Sequence, residues 1–104
     1  MAQVKITVVK KVNNTDLFGE NPPAAFDEKM TPECDRFDLG QEFVADGPMC
    51  PDGFCSWAYA DIQRDVVHIL FGGYYPWMKK KDTAISCCTD GLRPVIFKIE
   101  RIED

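Results

Sequence analysis

The chain has 104 residues, of which 45% are hydrophobic and 28% charged, a composition typical of one globular domain with a modest core. Its 12 basic and 17 acidic residues leave a net charge of −5, which argues against a nucleic-acid partner because phosphate binding draws on a basic surface. Neither a bilayer-spanning run of ~20 apolar residues nor a secretion signal is present. We therefore expect a single cytoplasmic domain over residues 1–104, without a membrane partner.

Alternating side chains predict a first strand over residues 3–12. Val4, Ile6 and Val8 alternate with more polar residues, so one face of the strand is apolar and the other mixed. A second, short strand is predicted over residues 42–45, after a turn at Leu39-Gly40.

Between these strands, residues 13–33 contain three prolines and many turn-forming residues, with one helical turn predicted around residues 15–18. A structureless stretch of this length is unusual inside a compact domain. We expect it to wrap the domain and to shield a sheet edge or one end of the core; a lid over a site is the alternative. Its apolar side chains should then be covered: Leu17, Phe18, Phe26 and Met30.

The main helix is predicted over about residues 55–71, where apolar residues recur at three- and four-residue steps. Asp52 or Ser56 is suited to cap its start. Gly72-Gly73 should end it, because glycine readily takes the left-handed conformation of a helix stop. The apolar stripe comprises Cys55, Ala58, Tyr59, Ile62, Val66, Ile69 and Leu70.

Two further strands are predicted over residues 83–88 and 94–102. The Asp90-Gly91 turn between them is a strong hairpin signal, so we expect them to pair antiparallel. The lysine-bearing first strand and the glutamate-bearing last strand would be complementary neighbours in a sheet.

Together these elements predict an α+β fold, in which a mostly antiparallel sheet of four or five strands packs on one main helix. Whether the sheet curls towards a small barrel is left open. Apolar residues on the outer face of the first or last strand, namely Val9, Ile96 and Ile102, suggest edge-to-edge pairing in a homodimer.

The five cysteines are the main candidates for chemistry. Their odd number and the lack of a secretion signal argue against a disulfide framework, so they are core residues, reactive thiols or metal ligands. Cys55 lies at the predicted start of the main helix, where free N–H groups and the helix dipole favour a thiolate. The alternative for Cys55 is an inert core thiol.

Cys87 and Cys88 are neighbours on a predicted strand, so their side chains should point to opposite faces, one of them towards the helix. A zinc or iron site has weak support, because Cys50-x4-Cys55 is looser than the usual C-x2-C pair and no second pair exists. The first hypothesis is therefore a cysteine-centred metal-binding or thiol redox accessory protein, with Cys34, Cys55, Cys87 and Cys88 as its site.

The second hypothesis is a non-catalytic module that binds a small ligand or a protein through four aromatic residues, Trp57, Tyr74, Tyr75 and Trp77. The sequence contains no recognisable set of catalytic residues, so it gives no support to an enzymatic function. Catalytic residues therefore remain unassigned. The only histidine, His68, is expected to be a solvated helix residue, too far along the helix from Cys55 to pair with it.

Three segments resemble a family of small bacterial and archaeal proteins of about this length, some of which repeat the unit in tandem. The segments are CDRFDLGQEF at 34–43, GFCSWAYADI at 53–62 and CCTDGLRPVIFKIERI at 87–102. The resemblance implies a self-contained cytoplasmic domain and no particular activity, since the family has no assigned one. Cys50 lies outside these segments and is therefore predicted to be the dispensable thiol.

Overall fold

Four strands and two helices form in the part of the chain that the computed structural model describes, residues 2–26 and 31–103. Each predicted element is present, with bounds within one residue of the predicted ones. Met30, one of the side chains expected to be covered, lies outside the described residues. In chain order the elements are β1 (Ala2–Lys11), α1 (Asn14–Phe18), β2 (Glu42–Ala45), α2 (Ser56–Leu70), β3 (Thr83–Cys87) and β4 (Val95–Glu103).

The strands form one antiparallel sheet in the order β2-β1-β4-β3, which is not closed into a barrel. The predicted α+β class and the predicted β3–β4 hairpin are thereby confirmed. The expectation that β1 or β4 offers an edge for dimerisation is wrong, because long-range pairing places both strands in the middle of the sheet. The edges of this sheet are β2 and β3.

Charged pairs support the register of the two central strands. Lys5 lies opposite Glu100, and the Lys5 Nζ to Glu100 Oε1 distance is 3.4 Å. The same ammonium group lies 3.6 Å from Oε2 of Glu42 on the other neighbouring strand. The predicted complementarity of the first and last strands is confirmed.

One face of the sheet packs on α2 and forms the core. Val4, Ile6 and Val8 of β1 are fully buried, as the alternating pattern predicts. Across the strands, Ile6 lies opposite Ile99 and Val8 opposite Phe97, and α2 covers them with its apolar stripe. The residues of this core are Val4, Ile6, Val8, Phe37, Phe54, Ala58, Tyr59, Ile62, Val66, Ile69, Leu70, Ala84, Cys88, Val95, Phe97 and Ile99.

Helix α2 begins without a side-chain cap. Cys55 occupies the N-cap position with extended backbone angles, and no side chain accepts a hydrogen bond there. The prediction that Asp52 or Ser56 caps the helix is therefore wrong. At the other end Gly72 adopts a φ of +89°, and the N–H of Gly73 donates to the carbonyl of His68 (2.8 Å), which ends the helix as predicted.

The described part of residues 13–33 lies against the connection between β3 and β4. Asn14 is fully buried and its Nδ2 donates to the carbonyl of Leu92 (2.7 Å). By contrast, Leu17 and Phe18 are 47% and 43% exposed, so the expectation that they are covered is wrong. They fall on the solvent side of α1, whose buried residue is Asn14. Among the described residues, neither helix has the length and apolarity needed to cross a bilayer.

Candidate functional site

A cavity of about 170 Å³ lies beside the first turn of α2 and contains three of the five cysteines in its wall. The three come from separate parts of the chain: the segment before β2, the N-cap of α2 and the residue after β3. The fold therefore brings together residues that are far apart in the sequence. The wall consists of Cys34, Arg36, Phe37, Cys55, Trp57, Ala58, Cys88, Asp90 and Arg93.

Arg93 holds the Cys34 segment against the cavity. Its Nη1 donates to the carbonyl oxygens of Thr31 (3.2 Å) and Glu33 (3.4 Å), immediately before Cys34. Its Nε lies 3.8 Å from Oδ2 of Asp90. A planar guanidinium can make these contacts together, so Arg93 positions Cys34 relative to the β3–β4 connection. The N–H of Asn14 donates to the carbonyl of Pro32 (2.9 Å) and adds a second tether.

Cys88 is the most deeply buried of the cavity thiols, with an exposure of 9%. Burial raises its pKa above the ordinary value of 9.0, and hydrogen bonds from the backbone of Val95 and Asp90 partly oppose that shift. The N–H of Val95 donates to its sulfur at 3.2 Å. Because the raised pKa keeps Cys88 protonated at neutral pH, it is poorly suited to act as a nucleophile.

Cys55 combines access to the cavity with a favourable electrostatic setting. It is partly buried, lines the cavity and occupies the uncapped N-terminus of α2. The N–H groups of the first helical turn lack intrahelical partners, and the helix dipole favours negative charge at this end. The exposed guanidinium of Arg36 lines the same cavity and acts in the same direction. An anionic ligand is thus favoured here.

The other two cysteines lie outside this cavity. Cys87 is exposed on β3, whereas Cys88 is buried, so the prediction that one of the pair faces the helix and the other faces away is confirmed. Cys50 lines a second, open hollow of about 670 Å³ beside β2. Cys50 is nevertheless close to Cys55, since its sulfur lies 3.6 Å from the carbonyl oxygen of Phe54, the residue before Cys55. The C-x4-C spacing was the only sequence signal for that proximity.

No group of three or more His, Cys, Asp or Glu side chains within residues 2–26 and 31–103 has an arrangement that could hold a metal ion. Cys34, Cys55 and Cys88 share a cavity without forming such a group.

The four aromatic residues of the second hypothesis lie in two places. Trp57, which is 77% exposed, lines the cysteine cavity at the start of α2. Tyr75 and Trp77 lie beyond the other end of the helix, where their rings stack with centroids 4.7 Å apart and an interplanar angle of 16°. Tyr74 is 54% exposed, with the ammonium group of Lys81 5.0 Å from its ring centroid.

Local contacts build the aromatic cluster, here defined as His68, Tyr74, Tyr75 and Trp77. The His68 ring lies 4.7 Å from the Tyr75 ring, and the Tyr75 hydroxyl donates to Oδ1 of buried Asp65 at 2.5 Å. That hydrogen bond is the main cause of a raised pKa of Tyr75. The side chain of His68 is partly buried in this contact.

No protein-family model, curated protein or solved structure matches this chain.

Proposed function

We propose that this protein is a thiol-dependent redox accessory protein in which Cys55 is the reversibly oxidised cysteine. The observation that carries the proposal is the convergence of Cys34, Cys55 and Cys88 on one cavity. Isolated core cysteines would have no reason to share an accessible hollow with one another and with Arg36 and Arg93.

Cys55 is the best candidate among the three for the first reaction. Cys88 is buried and has a raised pKa, and Cys34 lies on a segment that Arg93 tethers through backbone carbonyls. Cys55 is accessible from the cavity and lies at the uncapped start of α2, where free N–H groups can bind an anionic oxidant or product. A cavity of about 170 Å³ is large enough to admit a small oxidant.

The reaction is the attack of the Cys55 thiolate on a hydroperoxide. The sulfur bonds to the terminal oxygen, the O–O bond breaks, and the leaving oxygen takes a proton to become water or an alcohol. Cys55 is oxidised to the sulfenic acid and the peroxide is reduced. A neighbouring cysteine or an external thiol can then reduce the sulfenic acid through a disulfide.

Site-specific oxidation tests this proposal. Reduced protein is treated with one equivalent of hydrogen peroxide, the sulfenic acid is trapped with dimedone, and the modified residue is located by mass spectrometry. We expect Cys55 to react at least about tenfold faster than Cys87, because the cavity and the free N–H groups at the start of α2 should outweigh the greater exposure of Cys87. Cys55→Ser should abolish the fast phase, and Cys87→Ser is the matched control that should retain it.

Two outcomes would overturn the proposal. In the first, Cys87 reacts fastest, so that exposure alone governs oxidation. In the second, protein purified without oxygen or chelator contains near-stoichiometric zinc or iron, and its cysteines resist peroxide until the metal is removed. The second outcome would favour the metal-binding hypothesis instead.

The exposed aromatic surface supports a second candidate, a non-catalytic binding module. Trp77 is 73% exposed although it is stacked on Tyr75, so a flat apolar surface faces solvent. Binding of a planar ligand there would be insensitive to Cys55→Ser, which separates the two functions. Quenching of tryptophan fluorescence in wild-type protein, lost in Trp77→Ala, would detect it.

A further inference from the structure

We infer that Cys50 is the resolving cysteine of this site, which condenses with oxidised Cys55 to form a reversible disulfide. This inference rests on the proposed function and names the second residue of the reaction. It assigns a chemical role to the cysteine that the sequence had indicated was dispensable.

A tight turn brings the two residues towards each other. The N–H of Phe54 donates to the carbonyl of Pro51 at 3.1 Å, which closes a four-residue turn. Such a turn brings its first and fourth Cα atoms to within about 7 Å. Cys50 and Cys55 are the next pair outward on its two arms. Gly53, with a φ of +80°, supplies the left-handed conformation inside the turn.

The position of the Cys50 sulfur sets a closer limit on the distance between Cys50 and Cys55. It lies 3.6 Å from the carbonyl oxygen of Phe54, which is joined through one peptide bond to Cys55. Covalent geometry places that oxygen about 3 Å from the Cα of Cys55, so this Cα lies within about 6.6 Å of the Cys50 sulfur. We therefore expect side-chain rotation to bring the two sulfurs to bonding distance.

The burial of both thiols agrees with a resolving role. Cys50 and Cys55 are both partly buried and both pack against the core. Burial, followed by the charges of Cys55 and Asp52, raises the pKa of Cys50. Cys50 therefore remains protonated at neutral pH and does not compete with Cys55 for the peroxide.

The resolving step balances without a further reactant. The sulfur of Cys50 attacks the sulfur of Cys55 sulfenic acid, the S–O bond breaks, and the thiol proton of Cys50 leaves with the hydroxyl group as water. The product is a Cys50–Cys55 disulfide. A small dithiol reductant restores both cysteines through exchange and is itself oxidised to a disulfide.

Peptide mapping of the oxidised wild-type protein tests this pairing directly. The chain has no lysine or arginine between Arg36 and Arg64, so trypsin leaves Cys50 and Cys55 together on the peptide 37–64. Cys34 lies on an earlier tryptic peptide, and Cys87 and Cys88 lie on a later one. After one equivalent of hydrogen peroxide and alkylation, we expect the 37–64 peptide to lose two hydrogens and to remain unalkylated. Cleavage after Phe54 with chymotrypsin should then yield two disulfide-linked pieces.

Two variants test the Cys50–Cys55 pairing further. Cys50→Ser should lower the disulfide yield at least about tenfold and leave dimedone-trapped Cys55 in its place. Cys87→Ser, at an exposed position outside the cavity, is the matched control and should retain the disulfide. A disulfide between Cys55 and either Cys34 or Cys88, with Cys50 alkylated, would overturn the inference while leaving the proposed function intact. The absence of any oxidation at Cys55 would overturn both.

Discussion

The two ends of α2 present two kinds of cluster. At its N-terminus, Cys34, Cys55 and Cys88 come from three remote parts of the chain and line a cavity. At its C-terminus, the aromatic cluster comes from the residues that end and follow the helix, and its rings pack on one another. The first cluster is a product of the fold, whereas the second is largely a product of local sequence.

This difference shows why the clustering of similar residues along a sequence is a poor guide to the position of a functional site. Tyr74, Tyr75 and Trp77 lie within four positions of one another, yet they contact the end of α2 and each other. Their interactions are a hydrogen bond to Asp65, one with His68, and ring stacking. The cysteines are dispersed in the sequence, yet the sheet and helix bring them together beside two arginines. Convergence of remote polar or reactive residues on a cavity is the stronger indication of function.

The largest expected effect is at the cavity end. Asn14→Ala removes the buried side chain that donates to Leu92 and leaves that carbonyl unsatisfied. We expect the free energy of unfolding in urea to fall by about 2 kcal/mol. Because Asn14 also tethers Pro32 through its backbone, looser packing there should speed alkylation of Cys34 several-fold in the native state.

Asn21→Ala, at an exposed position of the same stretch, is the matched control for Asn14→Ala and should leave both measurements near wild type. Equal effects of the two substitutions would contradict the assigned tether. The aromatic end should be unaffected by either, as judged from tryptophan fluorescence after correction for Trp57.

A smaller effect is expected at the aromatic end from Gly73→Ala. A Cβ atom at this position would overlap the His68 ring, which must then leave its contact with Tyr75. We expect a loss of about 1 kcal/mol in the free energy of unfolding, since a flexible side chain can move aside. Peroxide reactivity of Cys55 should stay at the wild-type rate.

Gly47→Ala provides the control, because a Cβ there meets no atom within 4 Å. If Gly73→Ala also slows the oxidation of Cys55 clearly below the wild-type rate, the two ends of α2 are energetically coupled. That outcome would contradict the independence of the two clusters.

The smallest expected effect is a pH dependence from Cys88. Its folded-state pKa is raised above 9.0 by burial, so the folded state holds the proton more tightly than the unfolded state. The associated stability is fully present below about pH 9 and is lost as the pH rises through the folded-state pKa. Cys88→Ala should flatten this alkaline decline by less than about 0.5 kcal/mol per pH unit, against a limit of about 1.4 for one whole proton.

Urea denaturation in the presence of a reductant, repeated between neutral and alkaline pH, measures the decline. Superimposable slopes for wild type and Cys88→Ala would contradict a buried, protonated Cys88 thiol. Only the slope is diagnostic, since loss of the thiol also changes packing at every pH.

Local patterns were enough to predict the elements, since β2 and the end of α2 at Gly72 depend on nearby residues. Long-range geometry was not predictable in the same way. The sheet order depends on pairing between β1 and β4, and the burial of Asn14 depends on the distant Leu92 carbonyl. The proximity of Cys50 to Cys55 depends on a turn whose closure no single residue determines.

The central position of β1 and β4 has a consequence for how the protein folds. β1 and β4 form the longest strand pair of this sheet, and every residue pair between them joins positions separated by most of the chain. Contacts of such high sequence separation are formed only after costly loop closure, which slows folding. β1 can complete its pairing only after residues 95–103 have been synthesised, whereas its partners β2 and α2 are available earlier. We therefore expect the β1–β4 pairing to be a late step in the folding of this sheet.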